Sequence, residues 1–147
     1  MLPNSDPNLE IIFPQLAITG YRITSPQTQF YNCIAWAADD DQNFWWPIGG
    51  FWPAGVNRSL TMDAFVDAYR TRGYEICADE VYEDGYDRIA IFLDLNNNPS
   101  HASKQIDQVT WTSKLGRNHD ISHTLHGLNG VNYGRPVVFM KREKQVN

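Results

Sequence analysis

The stretch from Phe44 to Pro53 constrains the fold more than any other, because it places large aromatic rings among chain-breaking residues. Its sequence, FWWPIGGFWP, holds five aromatic side chains, two glycines and two prolines. Gly and Pro interrupt both helices and strands, so the stretch must be a loop that lies on the body of the domain. Two interpretations stay open. It is either a hydrophobic cover that completes a small core or a wall of a substrate groove, since binding pockets favour aromatic side chains.

Composition limits the classes of function. Apolar residues make up 42% of the 147 residues, enough for one core, and the formal net charge is −5. Nucleic-acid binding needs concentrated Lys and Arg to neutralise phosphates, so we expect no nucleic-acid partner. No apolar run approaches the ~20 residues of a membrane span, and the N-terminus lacks the basic-then-apolar pattern of a secretory signal. We therefore expect no membrane partner and a cytoplasmic location, with delivery by a dedicated secretion machine left open.

The first half of the chain predicts an extended arm followed by two helices. Residues 1–28 hold four of the eight prolines and no helical period, which predicts an extended N-terminal arm. A short helix is predicted to begin near Asn32, with its start capped from the polar lead-in 25–29. The clearest helix spans 60–72, where apolar residues recur at helical spacing, at Met62, Phe65, Val66 and Tyr69.

The second half predicts strands. A short strand is predicted at 74–77, a central one over the apolar run 88–93, and others at 100–106, 109–115 and 136–140. Asp120 is predicted to cap a short helix that runs to Leu125. Helices followed by a strand meander are typical of an α+β fold, with helices packed on one face of an antiparallel sheet.

Cys33 and His101 are the strongest candidates for chemistry. Cys33 lies at the predicted helix start, where unpaired backbone N–H groups and the helix dipole are expected to lower a thiol pKa. His101 heads a strand beside the central one and is predicted to act as the base that deprotonates the thiol. Gln27, six residues before Cys33, would complete a two-donor oxyanion hole with the Cys33 backbone N–H. A buried structural thiol is the alternative for Cys33.

A third residue should orient the imidazole, and the residues leave its identity open. If the turn centres on Asp107 and Gln108, His101 shares a face with Thr112; a loop longer by one residue puts Ser113 there. The other candidates are Gln105 and Ser103, on the face of His101, and the carboxylates Asp107 and Asp120. We take Ser113 as the working choice.

Several short motifs resemble an uncharacterised bacterial domain family. They are NCIAWA from Asn32, WWP from Trp45, the glycine-tyrosine turn at 84–86, HA-x-x-Q from His101, WTSKLG from Trp111 and DI-x-H from Asp120. More distantly, a helix-borne Cys, a strand-borne His and then a polar residue resemble papain-like cysteine peptidases and amidases of the NlpC and CHAP types. That resemblance implies a single papain-like domain over 29–147 and hydrolysis of amide bonds. It also matches Gln27 to the papain glutamine that lines the oxyanion hole.

Metal binding has weak support in this sequence. His119 and His123 are four residues apart and would meet on a helix, but the glutamate of the HExxH motif is missing. A polar helix surface, or His123 fixing the WTSKLG strand by hydrogen bonds, explains them as well. The two cysteines match no metal or redox spacing, so we expect no metal and no cofactor.

Two functions follow from these residues. The first is a thiol-dependent hydrolase or transferase acting on amide bonds through Cys33 and His101, with Trp45, Trp46, Trp52 and Trp111 contacting the substrate. The second is a catalytically inactive binding module that recognises a protein or peptide through the aromatic loop and the WTSKLG strand. Either function predicts a peptide or protein as the partner.

Overall fold

The computed structural model describes residues 5–25, 31–115 and 119–144, which form a seven-stranded antiparallel sheet with short helices. The strands are β1 (Tyr21–Ser25), β2 (Glu75–Cys77), β3 (Tyr86–Leu93), β4 (Pro99–Gln105), β5 (Trp111–Lys114), β6 (Asp120–His123) and β7 (Arg135–Glu143). The helices are α1 (Pro7–Ile12), α2 (Pro14–Thr19), α3 (Cys33–Ala37) and α4 (Met62–Arg70), with a short 3₁₀ helix at Leu125–Leu128. The α+β class with an antiparallel sheet is confirmed.

The sheet is built around β3. The strands follow the order β1-β6-β5-β4-β3-β7-β2, and Ile91 of β3 pairs with Ala102 of β4 on one side and Val138 of β7 on the other. Its apolar residues from Ile89 to Phe92 are fully buried. A continuous apolar run is what a strand covered on both faces requires, and the predicted central strand is confirmed.

Helices cover both faces of this sheet. One hydrophobic cluster joins α3, α4 and the aromatic loop to Ile89, Ile91 and Ala102. A second cluster joins α1 and α2 to sheet residues that include Phe92. Alternate residues of a strand point to opposite faces, so Ile91 and Phe92 belong to different clusters. The expectation of helices on one face is corrected, because α1 and α2 were not foreseen.

The N-terminal segment is structured where the sequence predicted an extended arm. Each of α1 and α2 begins with a proline, at Pro7 and Pro14, and β1 then adds an edge strand to β6. Proline at the first helical position has the φ angle that a helix needs and its missing N–H removes no hydrogen bond. The same prolines that indicated extended chain therefore start helices, and Leu9 and Leu16 anchor those helices in the second cluster.

The segment after β5 also differs from expectation. Residues 120–123 form β6, which pairs with β5 and β1, and the helical turn comes only at Leu125–Leu128. Cross-strand pairing to two neighbours outweighs the capping signal of Asp120. The predicted helix from Asp120 to Leu125 is wrong. Among the described residues, no helix is long and apolar enough to cross a membrane.

The aromatic loop is largely core. Trp45 and Trp52 are 0% and 4% exposed, Trp45 stacks on Tyr69, and Trp52 meets Phe65 edge-on. The indole N–H of Trp45 donates to the Asp40 carboxylate at 2.8 Å. The hydrophobic-cover interpretation therefore describes these two rings, and the outer surface of the loop is formed by Phe44, Ile48 and Phe51.

Asn32 ties this loop to α3. Its side-chain oxygen accepts from the Ala35 N–H at 3.1 Å and the Trp45 N–H at 3.0 Å, and its amide nitrogen donates to the Trp45 carbonyl at 2.6 Å. Asn32 is therefore the N-cap of α3, a position that Asn favours, and it replaces the cap expected from residues 25–29. One buried side chain fixes both the start of α3 and the path of the loop.

We expect Asn32→Ala to lower the free energy of unfolding by at least about 3 kcal/mol. The change removes a helix cap, worth about 1 kcal/mol, and leaves the Trp45 backbone groups buried without partners, at about 1–3 kcal/mol per group. Urea unfolding followed by tryptophan fluorescence measures the loss. Asn43→Ala, in the same loop, is the matched control and should cost under about 1 kcal/mol. Equal losses in the two variants would contradict the role given to Asn32.

Candidate functional site

Cys33 is the first residue of α3 and lies almost entirely inside the protein. Its side chain is 6% exposed and belongs to the cluster that includes Ala102 of β4. Burial raises the pKa of the Cys33 thiol to about 11, although the backbone of Ala102 and the charge of Lys114 act in the opposite direction. The predicted lowering of the thiol pKa is wrong, because removal of water outweighs the helix start. The group is a neutral thiol at neutral pH.

His101 is completely buried on β4. Its ring stacks on Tyr133 with 4.1 Å between centroids and meets Phe92 edge-on at 5.0 Å. Burial lowers the pKa of His101 well below its usual value, with a further contribution from His123. The imidazole is therefore neutral. Its Nε2 lies 3.0 Å from the Ser113 hydroxyl, while Nδ1 has no hydrogen-bond partner among the described residues.

Ser113 is the centre of a buried polar cluster. Besides Nε2 of His101, its hydroxyl oxygen lies 2.7 Å from Oγ of Ser103 and 2.7 Å from Nε2 of His123. Nδ1 of His123 lies 2.6 Å from the Thr124 carbonyl oxygen. Burial lowers the pKa of His123 to about 4. Three strands, β4, β5 and β6, thus contribute to one network of neutral groups.

The register of β4 and β5 explains why Ser113 holds this place. Lys104 pairs with Thr112 and Gln105 with Trp111. This register is the one predicted for a loop longer by one residue. Thr112 then points away and donates to the Ile121 carbonyl. Ser113 remains on the face of His101.

The other proposed orienting groups are engaged elsewhere. Gln105 donates to the Glu80 carbonyl, and the Asp107 carboxylate accepts from the Val109 and Thr110 N–H groups of the exposed turn. Asp120 accepts from the Tyr31 hydroxyl at 2.7 Å. Of the candidates, Ser113 and, through it, Ser103 form the hydrogen-bond network of the imidazole in the described part of the chain.

Cys33 and His101 lie close in the fold without a hydrogen bond between them in the described residues. The thiol contacts the backbone of Ala102, which is adjacent to His101 in the chain. Cys33 packs in the hydrophobic cluster on one face of β4, whereas His101 packs against Phe92 on the other face. The pairing of β3 and β4 shifts here, with Phe92 opposite His101 and Leu93 opposite Pro99. Such bulges re-aim side chains and are frequent beside active sites.

Tyr133 covers the imidazole and is near both candidates. Burial and the proximity of Cys33 raise the pKa of Tyr133, while its ring stacks on His101. It sits in a tight hairpin closed by two hydrogen bonds between Gly130 and Gly134. Gly134 has a φ of +74°, and a Cβ there would lie 1.9 Å from the Leu93 carbonyl oxygen, so this position accepts only glycine.

The remaining predicted site residues are dispersed. Trp111, 2% exposed, packs with Ala90 and Leu125, and Trp46 is half-buried against Phe65. With Trp45 and Trp52 also buried, any substrate contact by this set would fall mainly to Trp46 and the outer side chains of the loop. Gln27 lies outside the described residues, so its role stays a prediction.

The histidines do not form a metal pair. His119 directly precedes β6 and His123 is its last residue, so the two do not share a helix face, and four residues of strand span about 13 Å. Within the described ranges, no group of three or more His, Cys, Asp or Glu side chains is arranged to hold a metal ion. The other explanation for His123, that it fixes the WTSKLG strand by hydrogen bonds, describes its contact with Ser113.

Comparison with known proteins gives one match. The model of a family described as Domain of unknown function (DUF7689) matches residues 22–141, most of the chain. The chain belongs to this family. No curated protein and no solved structure matches it. The DUF7689 match includes Cys33, His101, Ser113, His123 and Tyr133, whereas α1 and α2 precede it.

Sequence reasoning missed three residues of the candidate site. Asn32 carried a usable signal, since Asn directly before a helical run is a preferred N-cap. Lys114, 0% exposed, stands in a strand beside Cys33 with its ammonium 5.7 Å from the Tyr31 ring centroid, and burial lowers its pKa. Nothing in the sequence marks Lys114 or Tyr133, because their positions depend on contacts distant in the chain.

We expect acid to destabilise the protein through His123. The unfolded chain binds a proton at this histidine near pH 6.5, whereas the folded chain binds it only near pH 4. Stability from this group is complete above pH 6.5 and is lost as the pH falls toward 4, by about 3 kcal/mol in all. His101 adds loss in the same direction.

Denaturant unfolding at several pH values between 7 and 4 measures this slope. His123→Gln should flatten it, because the variant takes up no proton at this position on unfolding. His126→Gln, at an exposed position, should leave the slope unchanged and serves as the control. An identical slope in wild type and His123→Gln would contradict the assignment of a buried neutral His123.

Proposed function

We propose that this DUF7689 protein is a thiol-dependent hydrolase or transferase acting on amide bonds, with Cys33 as nucleophile and His101 as general base and acid. One observation carries the proposal. The buried, neutral imidazole of His101 is fixed through Nε2, and its Nδ1 has no hydrogen-bond partner within residues 5–25, 31–115 and 119–144. His101 is adjacent in the chain to Ala102, whose backbone the Cys33 thiol contacts. A general base needs a free lone pair, and a buried polar atom without a partner needs an explanation.

The protonation states of both groups favour a general-base mechanism. The pKa of Cys33 is about 11 and that of His101 is lowered by burial, so both groups are neutral. In the proposed step, the sulfur attacks the amide carbonyl carbon while the thiol proton moves to Nδ1 of His101. The imidazolium then returns that proton to the leaving amine, and a thioester remains on Cys33. Water, for a hydrolase, or a second amine, for a transferase, attacks the thioester and restores the thiol.

Two nearby groups support stabilisation of negative charge. The backbone N–H of Cys33 is in the first turn of α3, where helix N–H groups have no intrahelical acceptor. Lys114 is a buried cation whose charge lowers the pKa of Cys33 and therefore favours a negative sulfur. Gln27 is the further oxyanion donor in this proposal. The papain-like order of Cys, His and polar strand residue agrees with these roles.

Access requires movement of the Tyr133 hairpin. Cys33 is 6% exposed and His101 is fully buried, so a substrate reaches neither while Tyr133 covers the imidazole. The same hairpin lines a cavity of about 460 Å³ together with Leu93, Leu95 and Arg135. Displacement of the hairpin would uncover the imidazole and open a path to it from this cavity. The structure is thus the resting form in this proposal.

We expect Cys33→Ala to abolish amide cleavage. Incubation with a pool of short peptides, with released amines detected by fluorescamine, gives the rate. Cys77→Ser is the matched control, because Cys77 is the second free thiol and lies at the sheet edge away from the site. It should keep the wild-type rate. Ser113→Ala should reduce the rate by about a hundredfold, the usual scale for disturbing a general base. Equal rates in wild type and Cys33→Ala would end the proposal.

A binding module is the second candidate, because the outer surface of the aromatic loop is apolar and the loop backbone accepts hydrogen bonds from Arg58. Phe44, Ile48 and Phe51 are 38%, 65% and 42% exposed. The Arg58 guanidinium donates to the Pro47 and Gly50 carbonyls from beside the loop. A preorganised apolar surface binds a peptide at low entropic cost.

Peptide display against the immobilised protein separates the two functions. For a binding module, we expect selected peptides to bind wild type and Cys33→Ala equally and to lose about tenfold or more in affinity to Ile48→Asp, since a central hydrophobic contact contributes more than about 1.4 kcal/mol. Val109→Asp, at another exposed apolar position, is the control and should bind as wild type does. Peptides insensitive to Ile48→Asp would exclude the loop as the binding surface.

A further inference from the structure

The protons of the Ser113 network can be assigned by counting donors and acceptors. Nδ1 of His123 lies 2.6 Å from the Thr124 carbonyl oxygen, which only accepts, so Nδ1 carries the proton of this neutral ring. Nε2 of His123 is then a bare acceptor, and the neighbour at 2.7 Å, the Ser113 hydroxyl, must donate to it. The hydroxyl proton of Ser113 is therefore donated to Nε2 of His123.

The rest of the count fixes His101. A hydroxyl oxygen with its proton already donated offers only lone pairs. The two remaining neighbours of Ser113, Oγ of Ser103 at 2.7 Å and Nε2 of His101 at 3.0 Å, must therefore both donate. A neutral imidazole carries one proton, so the proton on Nε2 leaves Nδ1 bare. This agrees with Nδ1 having no partner among the described residues.

We propose that His123 is a positioning residue that acts through the Ser113 hydroxyl to hold His101 as the Nε2-protonated tautomer, with its Nδ1 lone pair available for the Cys33 thiol. The inference rests on the proposed function for its use of that lone pair, but the tautomer itself follows from the network. The other tautomer would place a proton on Nδ1, where it has no acceptor in the described residues and where it could not accept the thiol proton.

Without the His123 acceptor, the Ser113 proton has two other acceptors within reach, Oγ of Ser103 and Nε2 of His101. When it turns toward Nε2 of His101, His101 accepts from Ser113 and carries its own proton on Nδ1. The Nε2-protonated form of His101 is then no longer enforced, and the two tautomers mix. A residue without contact to the thiol or the substrate would in this way decide whether the base is competent, which distinguishes it from a residue that only supports the fold.

The test is the ¹⁵N spectrum of the imidazole rings in the full-length wild-type protein. Long-range ¹H–¹⁵N correlations distinguish protonated from bare ring nitrogens. We expect His101 with a protonated Nε2 and bare Nδ1, and His123 with the opposite pattern. A protonated Nδ1 on His101, or a protonated Nε2 on His123, overturns the proposal without any variant.

Two substitutions test causation. His123→Phe keeps an aromatic ring but removes the acceptor, and we expect loss of the pure Nε2–H form of His101 and a fall of about tenfold or more in amide cleavage. His123→Gln restores an acceptor oxygen and should restore both readouts. If His123→Phe does not fold, Ser113→Ala, which removes the same link, replaces it. An unchanged His101 tautomer in the folded variant overturns the proposal.

The two proposals fail in different ways. If Cys33→Ala retains full amide cleavage while the wild-type tautomers are as expected, the catalytic function falls and the role of His123 in setting the His101 proton stands. If the tautomers are reversed while Cys33 remains essential, the enzyme stands and the positioning role of His123 falls.

Discussion

The Ser113 hydroxyl is the contact on which the interior of this sheet depends. It lies within hydrogen-bond distance of groups from β4 and β6 while belonging to β5, so one oxygen joins three neighbouring strands. A buried polar network is stabilising only when its members are satisfied, because each orphaned group costs about 1–3 kcal/mol. The register of β5 is fixed accordingly. A slip by one residue that put Lys114 in this place would leave Nε2 of both imidazoles without the hydroxyl they contact.

Burial shifts the pKa values of the candidate nucleophile and the candidate base in opposite directions. Both shifts favour the neutral form of the group. Removal of water disfavours charge, so it raises the pKa of Cys33 to about 11 and lowers the pKa of His101 below 6.5. Both shifts oppose transfer of the proton from the thiol to the imidazole in this conformation. A neutral thiol and a neutral imidazole are therefore favoured over a thiolate–imidazolium pair. In the proposed reaction, proton transfer is therefore coupled to attack on the substrate or follows the entry of water and substrate.

Patterns local in sequence were sufficient to predict much of the fold. The stripe of α4, the apolar run of β3 and the α+β order all depend on neighbours a few residues apart. The errors at α1, α2 and β6 arose where local signals conflict with long-range pairing: proline marks both extended chain and helix starts, and Asp120 marks both a cap and a strand end. Tyr133 and Lys114 take their roles from contacts with residues more than 30 positions away in the chain. Local sequence patterns cannot predict such contacts.

The failed pKa expectation for Cys33 shows which physical effect dominates at this site. A charge at a helix N-terminus is stabilised by about 0.3–1 kcal/mol, and α3 has only five residues. Burial raises the pKa of the Cys33 thiol to about 11, which corresponds to about 3 kcal/mol in the opposite direction. Desolvation therefore exceeds the helix contribution several-fold. The sequence around a cysteine can indicate that it lies at a helix start. The charge of the thiol is decided by the groups that bury it. Here the groups near the thiol include Tyr69, Lys114 and Tyr133, which come from three distant parts of the chain, so its charge depends on contacts that the local sequence does not contain.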